Sequence, residues 1–136
     1  MEQVWGYKED DKLGGKDIYS GSKGAAELII KSYYHSFLKS KNSNLKLAIG
    51  RAGNVIGGGD WAKDRIVVDC MKAWSEDKIA EIRTPKATRP WQHVLEALSG
   101  YLDLAIKLNK DININGQSFN FSSDKIKNVT VLQFLK

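Results

Sequence analysis

The chain has 136 residues, 42% hydrophobic and 27% charged, which is ordinary for a soluble globular protein and enough for one domain with one core. Its formal charge is 21 − 16 = +5, but the lysines are scattered, which argues against the one-faced basic cluster of a nucleic-acid-binding protein. A single cysteine, Cys70, excludes an intrachain disulfide and fits a reducing compartment, and no apolar run approaches the ~20 residues of a membrane span.

Residues 1–18 are polar and glycine-bearing and read as a loop, without the basic-then-apolar layout of a signal peptide; a cytoplasmic protein is expected. Ser20 or Ser22 is the expected cap of a first helix, in which Ala26, Ile29, Ile30, Tyr33 and Phe37 recur at helical spacing to about Ser40. "LKLAIGRA", Leu45 to Ala52, predicts a buried strand, and "GNVIGGGDW" a loop. "DRIVVDCMKAWSED" predicts a second helix with Cys70 on its buried face, "IAEIR" a short strand, and "TPKATRPW" a loop holding both prolines. "HVLEALSGYLDLAIKLN" predicts a third helix with Leu95, Leu98, Leu102 and Ile106 on one stripe; "SFNFSS" predicts a strand, and a last helix begins at Thr130. Alternating strands and helices argue an α/β fold with a parallel sheet.

Gly50, Gly53 and Gly57 follow a strand and imitate a dinucleotide-binding turn. The required spacing puts the third glycine at Ile56, and "GGDWAKD" follows where a helix should start. A substrate-side loop is the better reading.

Tyr19 and Lys23 stand four apart at the start of the first helix and so share a face. Ionising a phenol at neutral pH costs about 4 kcal/mol. An ammonium ~4 Å away supplies about that much at an effective dielectric near 20. With a second positive charge nearby, such as an oxidised nicotinamide ring, the pair could act as a general base while a hydride leaves for NAD⁺. The residues alone leave equally open an exposed pair with no role. Small neighbours, from Ser20 to Ala26, suggest that something lies close to this turn.

"YSGSKGAAE" resembles the catalytic helix of the extended short-chain dehydrogenase/reductases. "VWGY", "GGKDIYSGSKGAAEL", "RAGNVIGGGDWAKDRIV" and "TRPWQHVLEALSGYL" resemble, in order and spacing, the CDP-glucose 4,6-dehydratase family, from about Val4 to Phe121. The resemblance implies an NAD-dependent lyase of dideoxysugar formation that acts on a nucleotide sugar. It implies that Tyr19 takes the proton of the sugar 4-hydroxyl and that Lys23 holds the nicotinamide ribose. It further implies that Asn54 contacts the substrate diphosphate region and that Arg89 pairs with the diphosphate through its forked donors, with Arg65 a second candidate. His93 is read as a cap or packing residue. A homodimer through the Tyr19 helix is implied as well.

The family's opening strand, its glycine-rich NAD turn and the Ser/Thr-bearing segment before "VWGY" are not found in this sequence. Val68 stands where proline is usual and Thr84 where asparagine is common. The expectation is therefore the later part of a Rossmann-like doubly wound sheet plus part of a small substrate-binding lobe, with 57–92 and 122–136 mainly in the lobe. No metal site is read. Two alternatives stand beside it: a non-catalytic sugar-nucleotide-binding or dimerisation module, and a dehydratase or epimerase of another nucleotide sugar, whose base would be read around Ile79 to Arg83.

Overall fold

The computed structural model describes residues 6–40, 43–122 and 129–136. Val4 and Trp5 of the expected "VWGY" motif and Ser123 of the expected "SFNFSS" strand lie outside the described residues. The chain divides into two compact units, Met1–Arg51 with Gly100–Asn120, and Ala52–Ser99 with Phe121–Lys136. The elements in order are α1 (Ile18–Tyr33), a π-helical turn (Tyr34–Leu38), β1 (Ile49–Ala52), β2 (Asn54–Ile56), α2 (Ile66–Ser75), β3 (Trp91–His93), α3 (Val94–Lys110), a 3-10 turn (Ile112–Ile114), β4 (Ser118–Phe121) and α4 (Val131–Phe134).

In the first unit β1 pairs with β4, and α1 starts one turn earlier than a serine cap would place it. Asp17 is the cap. Its carboxylate accepts from the Ser20 backbone N–H at 2.9 Å and from the Ser20 hydroxyl at 2.7 Å. A carboxylate accepts both donors at once, so Ser20 becomes its partner, while Ser22 donates back to the Tyr19 carbonyl at 2.8 Å. The far end of the helix is held by Tyr34. It is buried and donates to the Asn115 carbonyl at 3.1 Å. Gly116 lies against its ring with φ +84, where a side chain would be both strained and obstructed.

The apolar stripe read in α1 is not its buried face. Gly24 and Glu27 are buried, whereas Ile18, Leu28, Ile29, Tyr33 and Phe37 remain exposed. The α3 stripe behaves alike: Leu95, Leu98, Leu102 and Ile106 share a face and are all more than half exposed, while Ala97 is buried.

The second unit contains a parallel pair, β2 with β3, in the register Asn54 to Trp91, Val55 to Gln92 and Ile56 to His93. Trp91 stacks on Phe134 of α4 with ring centroids 4.4 Å apart. The α4 turn is closed by a capping box between Thr130 and Gln133. Val68 and Cys70 of α2, Ala97, Val131 and the amide of Gln92 are buried.

Three expectations need correction. Residues 79–83 form no strand: α2 ends at Ser75, Asp77 with a φ of 52 turns the chain just after it, and Ile79 is 98% exposed with no ladder partner. The first strand spans only the last four residues of the expected eight. Both "GNVIGGGDW" and the segment from Trp91 to His93 contain strands, because each finds its partner across a long sequence separation that a three-residue run does not announce.

Candidate functional site

Tyr19 is the second residue of α1, and the helical spacing carries Lys23 onto the same face. The Lys23 ammonium lies over the Tyr19 ring, 5.7 Å from its centroid, within cation–π range. Tyr19 is 70% exposed, and Lys23 is exposed as well. Among the described residues neither the phenol oxygen nor the ammonium has a hydrogen-bond or ion-pair partner. All three lysine donors and the phenol therefore remain available to a ligand. The small residues around the pair are used unequally. Gly24 packs on the backbone of Gly14, where a Cβ would come within 2.8 Å of the Gly14 nitrogen, whereas Gly21 faces open space.

One turn beyond Lys23, Glu27 is 8% exposed and is the only buried acidic residue among those described. Its carboxylate accepts from Arg51 of β1 through Nε at 2.8 Å and also through Nη2, from the Ser118 hydroxyl of β4 at 2.8 Å, and from Lys31 at 3.1 Å. Arg51 also donates through Nη1 to the Glu9 carbonyl at 3.2 Å and to Asn120 Oδ1 at 3.3 Å. The guanidinium hydrogen bonds hold the Glu27 carboxyl well below the usual range, at about 2. The same pairing raises Arg51. Glu9 is lowered chiefly by the Asn120 backbone N–H. The sequence did not single these residues out: Glu27 lies within the expected first helix and Arg51 within the expected strand Leu45 to Ala52.

Asn54, Arg89 and Arg65 belong to the second unit, whereas Tyr19 and Lys23 belong to the first. The Asn54 backbone N–H donates to the Pro90 carbonyl at 3.0 Å, which sets Asn54 opposite Trp91 and close in the ladder to Arg89. The Asn54 side chain is exposed and has no hydrogen-bond partner among the described residues. Arg89 is exposed and donates through Nη1 to the Thr88 carbonyl at 2.8 Å. Arg65 is the residue before α2 and sits 3.5 Å from Asp60 in an exposed ion pair, away from the strand pair's register. His93 caps α3, its Nδ1 accepting from the Leu95 N–H at 3.2 Å.

Two of the glycines in this stretch, Gly53 and Gly57, are sites of close packing, while Gly58 and Gly59 face open space. A Cβ on Gly53 would lie 2.7 Å from Pro90 Cγ and would also strike the Pro90 carbonyl oxygen; one on Gly57 would lie 2.7 Å from Val94 Cγ1. A strand, β2, follows Gly53 where a dinucleotide turn would start a helix. Gln92 completes this corner. Its Oε1 accepts from the Gly53 N–H at 3.1 Å and its Nε2 donates to the Phe121 carbonyl at 2.9 Å, so a buried amide ties Gly53 to Phe121 within the second unit. Among the described residues no group of His, Cys, Asp and Glu could hold a metal ion, and no helix is long and apolar enough to cross a membrane.

No protein-family model matches the chain. Over 123 residues it is 46% identical to the CDP-glucose 4,6-dehydratase of Salmonella typhimurium, a match that takes in 88% of this chain and 34% of that enzyme. A solved structure of dTDP-glucose 4,6-dehydratase from Bacillus anthracis, in complex with NAD, matches with a TM-score of 0.69 at 21% identity, over 90% of this chain and 36% of that one. At that identity the likeness is one of fold, and it bears out an α/β architecture matching part of a Rossmann-like dehydratase. The sequence match bears out the resemblance read from the motifs. The chain spans about a third of the length of both relatives.

Proposed function

We propose that the chain carries the proton-transfer pair and the diphosphate-binding residues of an NAD-dependent nucleotide-sugar 4,6-dehydratase whose substrate is CDP-glucose. The observation that carries this reading is the Tyr19–Lys23 pair: an ammonium stacked over a phenol, both exposed, with their polar tips unpartnered among the described residues. Tyr19 accepts the proton of the sugar 4-hydroxyl through its phenol oxygen. Lys23 donates to ribose hydroxyls, a task its three unpartnered N–H groups fit. NAD, which Lys23 would help to hold by its ribose, would supply a hydride acceptor for C4 and, once water had left across C5 and C6, the hydride donor for C6.

The second unit, which takes in 57–92 and 122–136, is the substrate-binding lobe in this reading. Asn54 and Arg89, neighbours on the β2–β3 corner, bind the diphosphate, and the guanidinium does so with two parallel donors. Arg65, engaged by Asp60, is the lesser contributor. The base is read in the segment from Ile79 to Arg83, where Ile79, Glu81 and Arg83 are exposed. A cytoplasmic setting and a role in dideoxysugar synthesis complete the reading.

Titration calorimetry with CDP-, UDP- and dTDP-glucose tests it. CDP-glucose binding the tightest of the three is expected, and no heat from any of them overturns the proposal. Tighter binding of another nucleotide sugar would move the substrate and keep the enzyme class. The purified 136-residue chain with added NAD is expected to release no 4-keto-6-deoxy product, since a strand rather than a phosphate-binding helix follows Gly53; detection of that product would refute this.

A second reading is a non-catalytic module that pairs with an intact dehydratase or with its own copy through α1. The exposed Leu28, Ile29, Tyr33 and Phe37 favour it. Capture of an intact dehydratase by the chain, with no nucleotide-sugar binding, would select this alternative.

A further inference from the structure

Apolar packing does not fix α1 in its unit. Its large apolar side chains up to Tyr33 are exposed, with Ile18 at 92% and Ile29 at 68%, and its buried positions are a glycine and a glutamate. A helix held in this way is free to rotate about its axis unless a directional contact stops it. Tyr34 anchors the far end, and within the helix itself the directional contact is Glu27. It meets a two-pronged guanidinium from β1 and a hydroxyl from β4, so both strands of the sheet grip one carboxylate. Arg51 is in turn braced by the Glu9 carbonyl and Asn120, which leaves the fork little freedom. Hydrogen bonds to ionised groups are short, directional and about twice as strong as neutral ones, so the clamp fixes rotation as well as distance.

Tyr19, Lys23 and Glu27 fall at successive helical turns along one side of α1. We propose that Glu27 is a positioning residue, whose clamp to Arg51 and Ser118 sets the rotation of α1 on β1 and β4 and thereby the direction in which Tyr19 and Lys23 project. The proposal rests on the functional reading above for its consequence, but the geometry it asserts belongs to the ligand-free chain. Gly24, pressed on Gly14, limits how far the helix can stand off; Glu27 decides its angle.

The test is nuclear magnetic resonance on the isotopically labelled chain without ligand. In the parent chain, nuclear Overhauser contacts are expected to join Gly24 of α1 to Gly14 and to Leu13, two signals that cross from the helix to the segment beneath it and so depend on its angle. Glu27→Gln and Arg51→Met are expected to lose both signals while the amides of α2 keep their hydrogen-exchange protection. Ser118→Ala, which removes a single bond, is expected to weaken the signals. Leu28→Ala, a change of similar size on an exposed position of the same helix, is expected to leave them intact, which a merely structural role for Glu27 would not predict. If Glu27→Gln does not fold, Ser118→Ala against Leu28→Ala decides alone. Signals unchanged in the clamp variants, signals equally lost in Leu28→Ala, or their absence from the parent chain would each overturn the proposal. Absence of nucleotide-sugar binding would defeat the functional reading and leave this result standing.

Discussion

Acid should unlock the Glu27 clamp, and the size of the effect follows from the structure. The carboxyl titrates at about 2 in the folded chain against an ordinary 4.5, because Arg51, Ser118 and Lys31 all donate to its ionised form. The folded state therefore binds this proton less readily than the unfolded one. The contribution is fully present above the ordinary carboxylate value and drains away as pH falls towards the folded value. A difference of about two and a half pH units corresponds to about 3 kcal/mol. Glu27→Gln removes the charge at every pH and leaves Arg51, itself half-buried, short of its partner, so the variant should be about 3 kcal/mol less stable than the parent near neutrality. Urea denaturation followed by far-ultraviolet circular dichroism at a series of pH values from 7 to 2 measures this. The gap between parent and variant should close as the solution is acidified. Subtracting the two curves cancels other lowered carboxylates such as Glu9 and Asp17. Parallel curves across the whole range would show that the clamp does not carry the energy assigned to it.

Two further outcomes are expected. Gly53→Ala pushes a methyl against Pro90 and strains the Gly53–Gln92 bond, so it should cost about 2 to 4 kcal/mol from overpacking and one weakened hydrogen bond, read as a lower urea midpoint, with Ser99→Ala as an exposed control. Replacing Leu98 and Leu102 by lysine, at positions 51% and 68% exposed, should reduce light scattering of the purified chain without lowering its helicity; an increase in scattering would mean that those side chains are covered in solution.

Helices α1, α2 and α3 were legible because each is long enough for its period to show, and Thr130 and His93 announce the starts of α4 and α3 by their capping chemistry. The Tyr19–Lys23 pair was legible because a helical turn brings such residues together whatever else surrounds them. The buried side of α1 was not. The apolar period pointed to Ile29, Tyr33 and Phe37, whereas the buried side is Gly24, packed on Gly14, and Glu27, taken by the sheet. A signal did exist: Glu27 lies four residues from both Lys23 and Lys31, and Arg51 sits in a strand that otherwise reads as buried, where a charge demands a partner. Gln92 was hidden because its two backbone partners, Gly53 and Phe121, are distant in sequence. The β2–β3 pair escaped for the same reason, since three-residue strands carry no alternation to read.

The central claim is that this chain binds a nucleotide sugar through Arg89 at the β2–β3 corner. Titration calorimetry of CDP-glucose into the parent chain and into Arg89→Ala tests it most directly. A lost charge-assisted contact of about 1.5 to 3 kcal/mol corresponds to affinity weakened by roughly ten- to a hundredfold, with Arg65→Ala weakening it less. Equal affinity in parent and Arg89→Ala, or no binding to either, would contradict the account.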